Sequence, residues 1–89
     1  IEETEKNRSR MEESVRTMDV DGIAGMAHKL LPLFTLLGAS GVLPLLSWLE
    51  QRRGEAISDE IVRKAKEALQ QVDIVLTEAR RYASEDQSR

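Results

Sequence analysis

Ala27-His28-Lys29-Leu30-Leu31-Pro32-Leu33-Phe34-Thr35-Leu36-Leu37-Gly38-Ala39 is the stretch on which the reading of the chain turns. Advanced by 100° per residue together with the residues just before it, Ile23, Met26, Ala27, Leu30, Leu33, Phe34 and Leu37 gather on one side of a helix. His28, the sole histidine, falls roughly 160° from the centre of that stripe. Its ring therefore faces water or a partner. Asp19 or Asp21 is placed to cap the start of this helix, and Gly38 suits the left-handed position that closes it after Leu37. Pro32 lacks the N–H that would bond the carbonyl of His28, which costs about 3 kcal/mol in an unrelieved helix interior. The apolar period nevertheless continues through Leu33, Phe34 and Leu37, so the expectation is one kinked helix and not two helices.

Outward from this segment, the same periodicity gives three more helices. Residues 2 to 18 read as a polar helix whose apolar positions, Met11, Val15 and Met18, cluster toward its end, leaving its first half frayed or covered by a missing neighbour. Ser40 is expected to cap a third helix with an inward stripe of Val42, Leu45, Leu46 and Leu49, and with Pro44 in its first turn. That helix should end at Arg52-Arg53-Gly54, a basic last turn that complements the helix dipole. Ser58, followed by Asp59 and Glu60, opens a fourth helix. Its apolar positions are Ile61, Ala65, Ala68, Leu69, Val72, Val75, Leu76, Ala79 and Tyr82. The polar residues Ser84 to Arg89 read as a disordered tail. Four helices with short connections predict an all-α, antiparallel up-down four-helix bundle with a Pro-kinked second helix, a single domain over 1–89.

Composition narrows the function classes. At 89 residues folding buries about 60–65% of the surface that the unfolded chain exposes, too little for a deep catalytic cleft. The chain has no cysteine and one histidine, which excludes a thiolate zinc site and argues against a histidine-based one. A net charge of −3 opposes nucleic-acid binding. No apolar run approaches the roughly 20 residues that span a bilayer, and a cytoplasmic setting is expected. Beginning at Ile1, the sequence reads as a domain cut from a longer protein. No glycine-rich loop or Gly-Lys-Ser/Thr cradle for ATP phosphates is present.

A small residue before the histidine, a leucine two after it, a Gly-Ala pair ten and eleven after it, and a Leu-Glu pair on the next helix form a joint pattern. In this sequence those positions are Ala27, His28, Leu30, Gly38 with Ala39, and Leu49 with Glu50. The pattern resembles the histidine phosphotransfer (HPt) domain of multistep two-component signalling, over almost the whole chain. Where that family commonly carries lysine and then a small residue three and four positions after the histidine, this chain has Leu31 and Pro32. The resemblance implies a phosphorelay intermediate: His28 accepts a phosphoryl group from a receiver-domain aspartyl phosphate and passes it to another receiver. It implies a phosphocarrier without autonomous kinase activity, monomeric or fused to a histidine kinase. Response-regulator receivers are the implied partners, and Mg²⁺ belongs to the receiver, not to this chain.

The residues themselves are suited to that chemistry. An imidazole is substantially uncharged at neutral pH, and its free nitrogen is a nucleophile able to take a phosphoryl group. Ala24 and Gly25, one turn before His28, are expected to let a partner's backbone come close. Glu50 lies about as far beyond Gly38 as His28 lies before it, so antiparallel packing brings the two level. A Glu50 carboxylate on one ring nitrogen would fix the tautomer and leave the other nitrogen free. Lys29 flanks His28 at 100° around the helix as a candidate phosphate neighbour. Leu31 and Leu36 read either as ordinary flank packing or, for Leu31, as part of an apolar docking patch. Trp48 reads as a partly buried bundle residue, and Arg52 and Arg53 as helix-end charges with a secondary part in steering an acidic receiver. The competing functional reading is a helical interaction module that docks a receiver without phosphotransfer.

Overall fold

The computed structural model describes the backbone of residues 2–87 and the side chains of residues 3–81. Within those limits the chain has four helices and no strand: α1 (Glu2–Arg16), α2 (Val20–Leu36), α3 (Leu43–Glu50) and α4 (Asp59–Gln87). α1 and α3 each pack against both α2 and α4, so the helices surround a single apolar core in a body of 50 × 22 × 18 Å. Met11, Ile23, Leu30, Phe34, Val42, Leu46, Leu49 and Val72 are almost wholly removed from water. Burial of each larger side chain contributes about 1.5–3 kcal/mol.

The ends of α2 follow from local chemistry. Asp19 is its cap, with Oδ1 accepting from the Gly22 N–H at 3.1 Å. At the other end Gly38 adopts φ 69°, the Ala39 N–H donates to the Phe34 carbonyl at 3.0 Å, and the Gly38 N–H donates to Thr35 at 3.1 Å. This crossed pair of bonds satisfies carbonyls that a helix end leaves open. Helix continues through Pro32 from Val20 to Leu36. Of the expected stripe, Ile23, Ala27, Leu30 and Phe34 are buried, Met26 and Leu33 pack partly against the core, and Leu37 is half exposed beyond the last turn.

α1 departs from its sequence reading in two ways. Its first half is not loose: Thr4 and Asn7 are buried alongside Met11, Glu5 pairs with Arg80, and Arg8 forms a two-pronged bond to Asp73 at 2.8 and 2.9 Å. That partnership holds the Arg8 guanidinium pKa above its ordinary value, the Asp73 hydrogen bond being the largest cause. Two polar residues occupy core-facing positions that an apolar-period reading passes over. The helix also stops at Arg16, and Met18 leaves the apolar stripe for solvent. Met18 takes φ 59°, with the Asp19 N–H bonded to Ser14 at 2.8 Å and its own N–H bonded to Val15 at 3.1 Å. The closing geometry is the one seen at Gly38, built without glycine.

α3 is shorter than its sequence pattern. It begins at Leu43 after Val42, which gives no side-chain cap, so Ser40 does not cap it. Its last residue is Glu50, and Gly54 at φ 84° lies in the turn that follows. Arg52 and Arg53 therefore stand beyond the helix, although Arg52 still serves its end by donating from Nε to the Trp48 carbonyl at 3.1 Å. Ser58 caps α4 as expected, its Oγ accepting from Ile61 at 3.2 Å. Ile61, Ala65, Ala68, Leu69, Val72 and Leu76 turn inward. The Tyr82 side chain lies outside the described residues. α4 runs on to Gln87, past the Ser84 at which the sequence reading ends the helix, and residues 88 and 89 lie outside the described residues. No helix among the described residues is long and apolar enough to cross a membrane.

Candidate functional site

α2 presents His28 on its solvent side, with 69% of the side chain exposed. Burial of Ala27 and Leu30 on the opposite face fixes that orientation. Glu50 reaches the ring from the end of α3, and its Oε1 meets His28 Nδ1. An ionised carboxylate only accepts, so this contact selects the tautomer with the proton on Nδ1 and leaves the Nε2 lone pair unengaged. The packing beneath sets the approach of α3: Leu46 and Leu49, wholly buried, seat the helix and deliver the next residue, Glu50, to the surface.

Two further contacts extend this seam toward the start of α2. The Gly54 N–H donates to Asp21 Oδ1 at 2.8 Å. Between that bond and the His28–Glu50 pair, Arg53 Nη2 lies 3.6 Å from where a Cβ on Gly25 would stand. Along α2 the residues 21, 25 and 28 thus meet 54, 53 and 50 in turn. Neither of these two contacts was legible in the sequence: Asp21 reads there as a candidate cap for α2, a part that Asp19 takes, and the segment after α3 reads as a charged helix end. The descending order of partners is the signal that could have found them, once Glu50 had been placed level with His28.

Other site expectations are placed as follows. Ala24 is wholly buried, so it offers no surface for a partner's approach; it turns inward beside Ile23 and Ala27. Gly25 is half-buried, with Arg53 beside it. Lys29 is exposed, and no hydrogen bond or ion pair among the described residues joins it to His28 or Glu50. Leu31 packs partly against the core while Leu36 is 82% exposed. Trp48 is half-buried, with the Arg52 guanidinium 4.5 Å and the Lys64 ammonium 5.6 Å from its ring centre. Arg52 also pairs with Glu55 at 3.2 Å. The open groove between α1 and α4, lined by Val15, Met18, Val62 and Leu69 among others, does not include His28. His28 thus stands on an open surface, outside that groove.

Comparison with known proteins gives no family model, curated protein or solved structure that matches this chain.

Proposed function

We propose that this chain is a histidine phosphotransfer domain, in which His28 takes a phosphoryl group from an aspartyl phosphate on a receiver domain and hands it to another. The observation that carries this reading is an exposed imidazole whose Nδ1 is engaged by a carboxylate and whose Nε2 is open. The Nε2 lone pair attacks phosphorus, an N–P bond forms, and the P–O bond to the receiver's aspartate breaks with its electron pair leaving on that carboxylate. The Nδ1 proton stays on the ring, and the Glu50 carboxylate balances the positive charge that the ring acquires. Mg²⁺ and the rest of the catalytic apparatus belong to the receiver, so the chain is a carrier and not a kinase. Docking is transient and small, at about 1,200 Å² or less in total, in the cytoplasm.

The fold supports this reading in finer detail. Partners that descend from Gly54 to Glu50 as they rise from Asp21 to His28 on α2, and from Arg80 to Asp73 on α4 as they rise from Glu5 to Arg8 on α1, favour an antiparallel up-down bundle. A bend at Pro32, one turn past His28, would tilt the end of α2 and leave the His28 carbonyl free. Incubation with a phosphorylated receiver should transfer an acid-labile, base-stable phosphate to the wild type and none to His28→Gln. Binding of the receiver without any label would replace this reading with that of a docking module.

A further inference from the structure

A phosphoryl group on His28 brings close to two negative charges to a surface where the Glu50 carboxylate already touches the ring. Some cation has to accompany it. Leu31 and Pro32 follow on the same face without charge, and Lys29 departs from His28 by 100° around the helix. Arg52, on the far side of the α3 end, is occupied by the Trp48 carbonyl, the Trp48 ring and Glu55.

Arg53 is placed differently. Its Nη2 lies 3.6 Å from the Cβ position of Gly25, and among the described residues it enters no ion pair. Gly25 precedes His28 by three residues, so the two positions are neighbours on the helix surface, about 5–6 Å apart at Cβ. A helical side chain leans toward the N-terminus and covers the preceding turn. The His28 ring is thus carried toward the patch that Arg53 crosses. Gly25 matters because it has no side chain: a Cβ there would be in ordinary contact, and anything longer would push the guanidinium off. The Gly54 N–H to Asp21 bond ties down the turn that carries Arg53.

We propose that Arg53 is the cation of the phosphorylated site, its planar donors holding the oxygens of a phosphoryl group on His28 Nε2. This rests on the phosphocarrier reading above and adds to it the residue that receives the charge. Arg53 stands in for a basic neighbour on α2 by reaching over from the segment after α3.

The test uses phosphoramidate, a small phosphoryl donor that needs no receiver, and follows the phosphohistidine by phosphorus NMR across pH. Arg53→Gln should raise the titration midpoint of the phosphoryl group by about 0.2–0.7 of a unit, the size that one exposed ion pair provides. Arg53→Lys should recover part of that shift. Arg52→Gln removes the same charge one position earlier and should leave the midpoint near that of the wild type. A midpoint identical in the wild type and Arg53→Gln, with both labelled on His28, overturns the assignment of Arg53 while leaving His28 as the carrier. Failure of the wild type to acquire a base-stable label overturns both.

Discussion

Glu50, the last residue of α3, holds the ring of His28 in the middle of α2 across 22 positions of sequence. The histidine could rotate freely at 69% exposure, and a single carboxylate removes that freedom at Nδ1. Glu50→Ala should therefore slow phosphoryl acceptance from phosphoramidate about three- to tenfold, the worth of one charge-assisted bond discounted for solvent. The thermal midpoint should hardly move, because Glu50 is itself one-third exposed. Glu50→Gln, which keeps an acceptor oxygen and loses the charge, should fall between. Equal rates in all three proteins would remove Glu50 from the chemistry.

How much of this was legible in the sequence depends on the kind of force involved. The helices, the inward faces of α2 and α4, and the meeting of His28 with Glu50 all follow from apolar period and spacing, which report burial directly. The lower half of α1 did not, because Thr4 and Asn7 are polar residues in buried positions. The early ends of α1 and α3 did not either. A helix end is decided by a few tenths to 1 kcal/mol of capping and backbone preference, and Met18 gives no glycine signal. Arg53 was read by its position at a helix end, whereas its place is set by a turn anchored on the other helix through Asp21.

Met18 and Gly38 make a matched pair. Both are in the left-handed region, at φ 59° and 69°, each closing a helix by the same two bonds. For a residue with a Cβ that conformation costs about 1–2 kcal/mol, partly offset in glycine by a freer unfolded chain. Met18→Gly should stabilise the protein by about 0.5–1 kcal/mol, since Met18 is 65% exposed and gives up little packing. Gly38→Ala should destabilise by a similar amount, with nothing within 4 Å of the added methyl to blame but the backbone. Urea unfolding of the two variants should move in opposite directions.

Pro32 is exposed and inside α2. It therefore contributes little burial and deprives the His28 carbonyl of a donor. Replacement by alanine restores that bond and a strong helix former, against a loss of about 0.4–1 kcal/mol from loosening the unfolded chain. Pro32→Ala should gain about 1–2 kcal/mol, or several degrees in Tm for a domain of this size. A loss of stability would instead indicate that Pro32 bends α2 and that the core, through Leu33 and Phe34, is fitted to that bend.

Asn7 is 5% exposed, and its Oδ1 has no hydrogen-bond partner among the described residues. An unpaired carbonyl removed from water costs about 1–3 kcal/mol. Asn7→Leu removes that cost and adds apolar surface one turn from Met11, so unfolding free energy should rise by about 1–2 kcal/mol. Size alone could produce part of such a gain, and Asn7→Asp separates the two effects. It keeps the shape and places an ionised oxygen where a neutral one already lacks a partner, so stability at neutral pH should fall by about 2 kcal/mol or more. Protonating the new carboxylate should recover part of the loss as pH drops below its range, since the neutral acid is the form that tolerates burial. A stable Asn7→Asp protein with no such recovery would show that water reaches this position, and that α1 lies more loosely on the bundle than its buried residues indicate.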